Sequence, residues 1–155
     1  MDVHIVDARP IMPSCLNRLE TAASEEGMKN VSRLIHEWNL GQTLFDRAGE
    51  CLFIAQTNEL NIGIGGILKC KDIPDALRVS RFYVLPRWRK KGVATALANR
   101  AIMHASAFAE VITCNAQASE IAPPFWESLG FNPVNIPGLT HVKSIHNLGR
   151  APTGS

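Results

Sequence analysis

No apolar run in this sequence approaches the roughly 20 residues that a helix needs to cross a bilayer, which excludes a helical membrane span. Charge of one sign is scarce as well. Sixteen basic against fourteen acidic residues leave a formal net charge of +2, too little to argue for nucleic acid or a membrane surface as a partner. The four cysteines, Cys15, Cys51, Cys70 and Cys114, contain no CxxC pair and no zinc-ligand spacing, so the expectation is no metal. Asp2, His4, Asp7 and Arg9 stand where a secretory signal would need its apolar stretch. The expectation is therefore reduced thiols in a cytoplasmic protein. Tyrosine is nearly missing: Tyr83 is the single one.

What is present is an ordinary globular composition, 46% hydrophobic and 19% charged, in 155 residues, enough for one domain with its own core. Residues 3–6 read as a short strand. A helix is predicted over 14–24, with Leu16, Leu19 and Ala23 on one face, Ser14 as N-cap and Gly27 as stop. A second helix runs from about 29 to 40 on the stripe Val31, Leu34, Ile35 and Trp38. The period then changes: 51–56 and 62–69 form a hairpin, and 77–84 is a further strand stopped by Pro86. From Gly92 a helix runs to about Phe108, burying Val93, Leu97, Ala101, Ala105 and Phe108. A strand over 110–114, a short helix over 123–129 and an antiparallel pair over 131–134 and 141–148 complete the pattern. This order predicts a mixed-sheet α/β layout in one domain over 1–148, with a flexible Gly/Pro/Ser-rich tail over 149–155.

The segment with chemical content is the passage from the strand at 77–84 into the helix after Gly92. It holds Arg87-Trp88-Arg89-Lys90-Lys91-Gly92-Val93-Ala94. The first turn of a helix has N–H groups without internal acceptors, and the helix dipole adds partial positive charge there. A basic, glycine-containing turn at that place is a phosphate seat, or else a solvated turn capping a strand. Neither of two other phosphate loops is present. GxxxxGK[ST] does not occur, and Gly63, Gly65 and Gly66 do not spell GxGxxG but suggest a bulged or crowded strand.

Arg89-Lys90-Lys91-Gly92-Val93-Ala94 is similar to the R/Q-x-x-G-x-G/A signature of the GNAT acetyltransferases. Val84-Leu85-Pro86 resembles the V-x-P that ends the family's fourth strand, and Phe125-Trp126-Glu127-Ser128-Leu129-Gly130-Phe131 resembles its F-Y-x-x-L-G-F element. Ala116-Gln117 after the fifth strand is similar to several members. The resemblance implies a single-domain α/β (α+β) fold, with a twisted mixed sheet of six to seven strands flanked by about four helices. It also implies an N-acetyltransferase that uses acetyl-CoA and a primary amine of a small molecule or peptide, and it allows a homodimer. The pyrophosphate would sit on the main chain of Arg89, Lys90, Lys91, Gly92, Val93, Ala94 and Thr95. The pantetheine would pair along Phe82, Tyr83 and Val84, with Asn115, Phe125 and Trp126 lining its path.

Two departures touch the chemistry. The fourth-strand positions at which many members carry a Glu or His base are Arg78 and Ser80 here. Arginine is no base at neutral pH. The tyrosine of the family's element, its usual proton donor, is Trp126, whose indole is no practical acid. The low-ranking catalytic candidates that remain are Ser80, Tyr83 and Trp126. They keep open an alternative, a catalytically weak acetyl-CoA-binding module acting as a sensor or partner subunit. Arg78 and Trp38 are the candidates for the acceptor pocket. Arg78 either holds an anionic group of the substrate or pairs with Asp72 or Asp75. His36 and Glu37 read as a solvated helix face, His104 as exposed, Cys114 as buried and inert. His141 and His146 fall on opposite strand faces, unfit as a metal pair.

Overall fold

The computed structural model describes residues 2–8, 16–58, 60–117 and 119–145. Its elements are β1 (His4–Asp7), α1 (Asn17–Glu25), α2 (Asn30–Asn39), β2 (Cys51–Thr57), β3 (Leu60–Lys69), β4 (Leu77–Val84), α3 (Val93–Ser106), β5 (Val111–Cys114), α4 (Ala122–Ser128), β6 (Asn132–Ile136) and β7 (Leu139–Ser144). The strands make one mixed sheet in the order β1-β2-β3-β4-β5-β7-β6. β4 and β5 are parallel, joined by α3 as a crossover; the other neighbours are antiparallel. The element order expected from periodicity is therefore the one observed. The expected Ser14 cap, Cys15, His146 and the tail lie outside the described residues.

β2 and β3 are largely apolar and buried on both faces because helices cover both. α3 lies over the face that carries Phe53 and Gly63: Arg100 sets its guanidinium 4.5 Å above the Phe53 ring, and a Cβ on Gly63 would stand 3.0 Å from Leu97. α4 shares that face, where Trp126 meets Phe82 edge-on with centroids 5.0 Å apart. Tyr83 looks the other way, toward α1, with Arg89 over its ring and Glu26, just past the end of α1, bonded to Arg89 at 2.7 Å. Two sequence expectations change on the crossover helix. Phe108 is 52% exposed, because α3 ends at Ser106 and the chain has turned before it reaches the core. His104 is half-buried rather than exposed, its ring held between Phe53 and Phe108.

β4 is bulged, and the bulge decides which side chains share a face. Ile64 pairs with Tyr83 and Gly66 with Ser80, so the single residue Gly65 faces both Arg81 and Phe82. Arg81 takes φ +63° there, unusual for a residue with a side chain. Strict alternation would place Phe82 beside Arg78 and Ser80. The bulge instead turns Phe82 and Val84 to the α3 face and leaves Arg78, Ser80 and Tyr83 together on the α1 face. Gly65 is glycine because the Phe82 ring lies where its Cβ would be, at 2.5 Å. The crowded-strand expectation for Gly63, Gly65 and Gly66 thus holds, with Phe45 crowding Gly66 from the other side at 2.7 Å.

Candidate active site

The sheet splits between β4 and β5. The two strands are in register only at Leu77 with Ile112 and Arg78 with Thr113. β4 then runs on to Val84, whereas β5 stops at Cys114 and bends away. The Thr140 hydroxyl fixes that bend: it accepts from the Ala116 N–H at 2.8 Å and donates to the Cys114 carbonyl at 3.2 Å. A fork remains, open beyond Arg78. The Leu85 N–H donates to Ile62 O at 2.8 Å, a phase that points the main-chain groups of Tyr83 at β3 and those of Phe82 and Val84 into the fork. Side chains already reach both carbonyls: Asn30 Nδ2 donates to Phe82 O at 2.9 Å and Arg89 Nε to Val84 O at 3.0 Å. The Phe82 and Val84 N–H groups remain to serve a ligand.

At the open end of the fork the chain makes a 3-10 turn over Pro86–Trp88 and enters α3 through Lys90 at φ +62° and Gly92 at φ +84°. The first internal bond of α3 is Ala96 N–H to Gly92 O, at 3.0 Å. Among the described residues, no main-chain oxygen accepts from residues 90–95, so a row of donors lies bare above the fork. Gly92 supplies the left-handed turn. Nothing lies within 4 Å of where its Cβ would stand, so the space beside Gly92 is open. Arg89 departs from its expected part. Its N–H donates to Pro86 O at 3.2 Å, and its side chain clamps Val84 O, Tyr83 and Glu26. It builds the seat without facing it. Lys91 sets its ammonium 5.5 Å over the Trp88 ring. The residues fit a pyrophosphate held from Lys90 to Thr95.

The chain matches the acetyltransferase (GNAT) domain over residues 19–141. It belongs to the GNAT acetyltransferase family. A proposed acetyltransferase of Exiguobacterium sp. 255-15 superposes with a TM-score of 0.83 at 28% identity, over 93% of this chain and 94% of that one. The PaiA N-acetyltransferase of Thermoplasma acidophilum, solved in complex with coenzyme A, superposes at 0.68 and 16% identity, over 94% of this chain and 100% of that one. An acetyltransferase from Streptococcus agalactiae 2603 gives 0.71 at 15%, over 92% and 98%. The two more distant likenesses bear on the fold alone. No curated protein matches the sequence.

Where a GNAT enzyme is expected to carry its proton-transfer groups, this chain offers little. Trp126 is 6% exposed and is walled edge-to-face by Phe82, Phe125 and Phe131, with centroids 5.0 to 5.3 Å away. It serves as core beneath the fork. The Tyr83 hydroxyl is buried with no hydrogen-bond partner. Burial pushes its pKa up, Glu26 adds to the rise, and Arg89 opposes it. It stays protonated at neutral pH, on the α1 face. Ser80 is half-buried on that same face, beside Arg78. Glu37 does not stand on a merely solvated face: its carboxylate accepts from Arg81 Nη2 at 2.8 Å, with 24% of its side chain exposed. His36 is exposed, and Trp38 is half-buried against the core.

Three tethers were not legible beforehand, Asn30 to Phe82, Glu37 to Arg81 and Glu26 to Arg89. Each joins positions more than 40 residues apart, 52, 44 and 63 in turn. His141 is likewise no metal ligand here. Nε2 meets Glu127 at 2.8 Å and Nδ1 meets Thr140 at 2.8 Å, tying α4 to the bend after β5. Among the described residues there is no cluster of His, Cys, Asp and Glu fit for a metal ion, and no helix is long and apolar enough to cross a membrane. Burial pushes the Cys114 thiol up to about 12, with Arg78 opposing, so at neutral pH it is an un-ionised thiol and a poor nucleophile. Asn115, next to it, buries Oδ1 with no partner.

Proposed function

We propose that this protein transfers an acetyl group from acetyl-CoA directly to a primary amine of a small molecule or peptide. The observation that carries the reading is the fork, which opens from Arg78 and Thr113 toward a turn with bare N–H groups at 90–95. The pyrophosphate takes those donors and the pantetheine runs along the Phe82 and Val84 N–H groups as an added strand. An N–H near Val84 polarises the thioester carbonyl and holds the oxyanion that forms when the amine attacks. The relative solved with coenzyme A has this fold, which supports the same use of it here.

An alkyl ammonium, with a pKa of about 10.4, must lose its proton before it attacks. No histidine or carboxylate stands on β4 to take that proton, and the one carboxylate tied to β4 from α2, Glu37, is already held by Arg81. Water takes it, and the coenzyme A thiolate leaves without an acid at Trp126. The arrangement predicts slow turnover, and Trp126 is also what favours the second reading, a module that binds acetyl-CoA with little chemistry.

Release of free coenzyme A, followed with a thiol reagent over a panel of primary amines, separates the two. Amine-dependent release at least about tenfold above the acetyl-CoA hydrolysis rate is expected, far below what positioning alone can provide. Binding of acetyl-CoA with no amine-dependent release across the panel would leave the binding module.

A further inference from the structure

We propose that the acceptor carries a carboxylate, and that Arg78 holds it. This rests on the acetyl-transfer reading and names the substrate class of the same fork. Arg78 sits at the closed end of the fork, paired in register with Thr113, on the face it shares with Ser80. Its guanidinium has no ion-pair partner among the described residues, and its Nε is buried with no hydrogen-bond partner at all. Arg78 is half-buried, and its guanidinium carries five donors in a planar fork.

The acidic residues expected to answer it lie elsewhere. The Asp72 carboxylate is packed against Gly138, with oxygens 2.6 and 2.7 Å from where a Cβ would be. Asp75 is exposed. Glu37 is bonded to Arg81, so these two cancel. The charge left on this face by Arg78, Arg81 and Glu37 is a single positive one. That unanswered charge is felt at the neighbouring Cys114 thiol, where Arg78 is the influence that opposes burial.

One unneutralised guanidinium suits a monoanion, and a planar carboxylate can accept two of its N–H groups side by side. A phosphate monoester, close to a dianion at pH 7, would ask for a second free cation, and Arg81 and Arg89 are already paired with Glu37 and Glu26. Two further groups are placed to complete the recognition. Asn115 follows Thr113 by two residues, just past the closed end of the fork, and buries Oδ1 with no partner. The Ser80 hydroxyl stands next to Arg78 along β4. The acceptor is thus an amino-carboxylate long enough to reach between the two, its acid toward Arg78 and its amine toward the thioester.

The test is calorimetric binding to the protein saturated with coenzyme A. α-Amino acids and ω-amino acids are each compared with the corresponding primary amide, and phosphoethanolamine serves as the phosphate probe. In the wild type at least one acid is expected to bind about 10- to 100-fold more tightly than its amide, the range of a charge-assisted hydrogen-bonded pair. Arg78→Gln brings that ratio to within about threefold and leaves the affinity for coenzyme A unchanged, while Arg78→Lys keeps part of the preference. Acid and amide binding equally throughout, a preference that survives Arg78→Gln, or phosphoethanolamine outcompeting every carboxylate would each overturn the proposal. Because the readout is binding, a failure of acetyl transfer would appear separately, as no release of coenzyme A.

Discussion

Gly92→Trp is expected to lower the affinity for acetyl-CoA at least about 100-fold while the protein stays folded. Gly92 adopts φ +84°, so any side chain there costs roughly 1–2 kcal/mol of backbone strain. Its Cβ would point into open space, with nothing within 4 Å, so the indole displaces no neighbour in the free protein. What it can fill is the open space beside Gly92, in the middle of the 90–95 row of N–H groups. Losing two charge-assisted bonds to a pyrophosphate, at about 1.5–3 kcal/mol each, already exceeds a hundredfold in affinity. Gly92→Ala separates the two causes, since it carries the same strain with little bulk and should lose less than about tenfold. Calorimetry on the three proteins, beside a thermal melt of each, reads the result. An unchanged dissociation constant in Gly92→Trp would place the ligand elsewhere.

Trp126→Ala is expected to be the most destabilising single change near the fork, at about 3–5 kcal/mol. Trp126 touches the rings of Phe82, Phe125 and Phe131 in T-shaped pairs, so its removal empties the space between α4 and the end of β4. Edge-to-face pairs add about 0.5–1.5 kcal/mol each beyond the area buried, and three are lost together. For a chain of this size the melting temperature should fall on the order of 10 °C. The urea midpoint would fall with an unchanged slope if the native state stays compact. A loss below about 1 kcal/mol would mean that the aromatic cluster is not part of the core and that Phe82 is positioned by something else.

Much of the fold was legible because its signals are local. Gly27 and Gly92 take positive φ at the ends of elements, where their sequence positions had placed a stop and a turn. The helix stripes Val31 with Leu34 and Val93, Leu97, Ala101 with Ala105 are buried as their spacing required. The turn with bare N–H groups at 90–95 was legible for the same reason, since a strand, a basic turn with glycine and a helix start follow one another along the chain.

The remainder depended on contacts between distant segments. The β4 bulge has no mark in 77–84 itself; its cause is Gly65 on the neighbouring strand, which leaves room for the Phe82 ring. Arg89 and Glu37 looked like free charges because their partners are 63 and 44 residues away. His104 looked exposed because the helix period ignores the neighbouring Phe53 ring that covers it. The bulge also explains how one strand serves two sides of the fork. It gives the α3 face Phe82 and Val84 for packing and leaves Arg78 and Ser80 on the α1 face.

The most direct test of the central claim is amide hydrogen exchange on the wild-type protein with and without saturating coenzyme A. A ligand seated in the fork must slow exchange at residues 90–95, whose N–H groups gain acceptors, and at Phe82 and Val84, whose N–H groups pair with the pantetheine. Protection concentrated at those positions, with β1, β2 and β6 unchanged, is the expected result. Coenzyme A that binds but leaves 90–95 exchanging as before would contradict the account, because no other feature of the fold was assigned to its pyrophosphate.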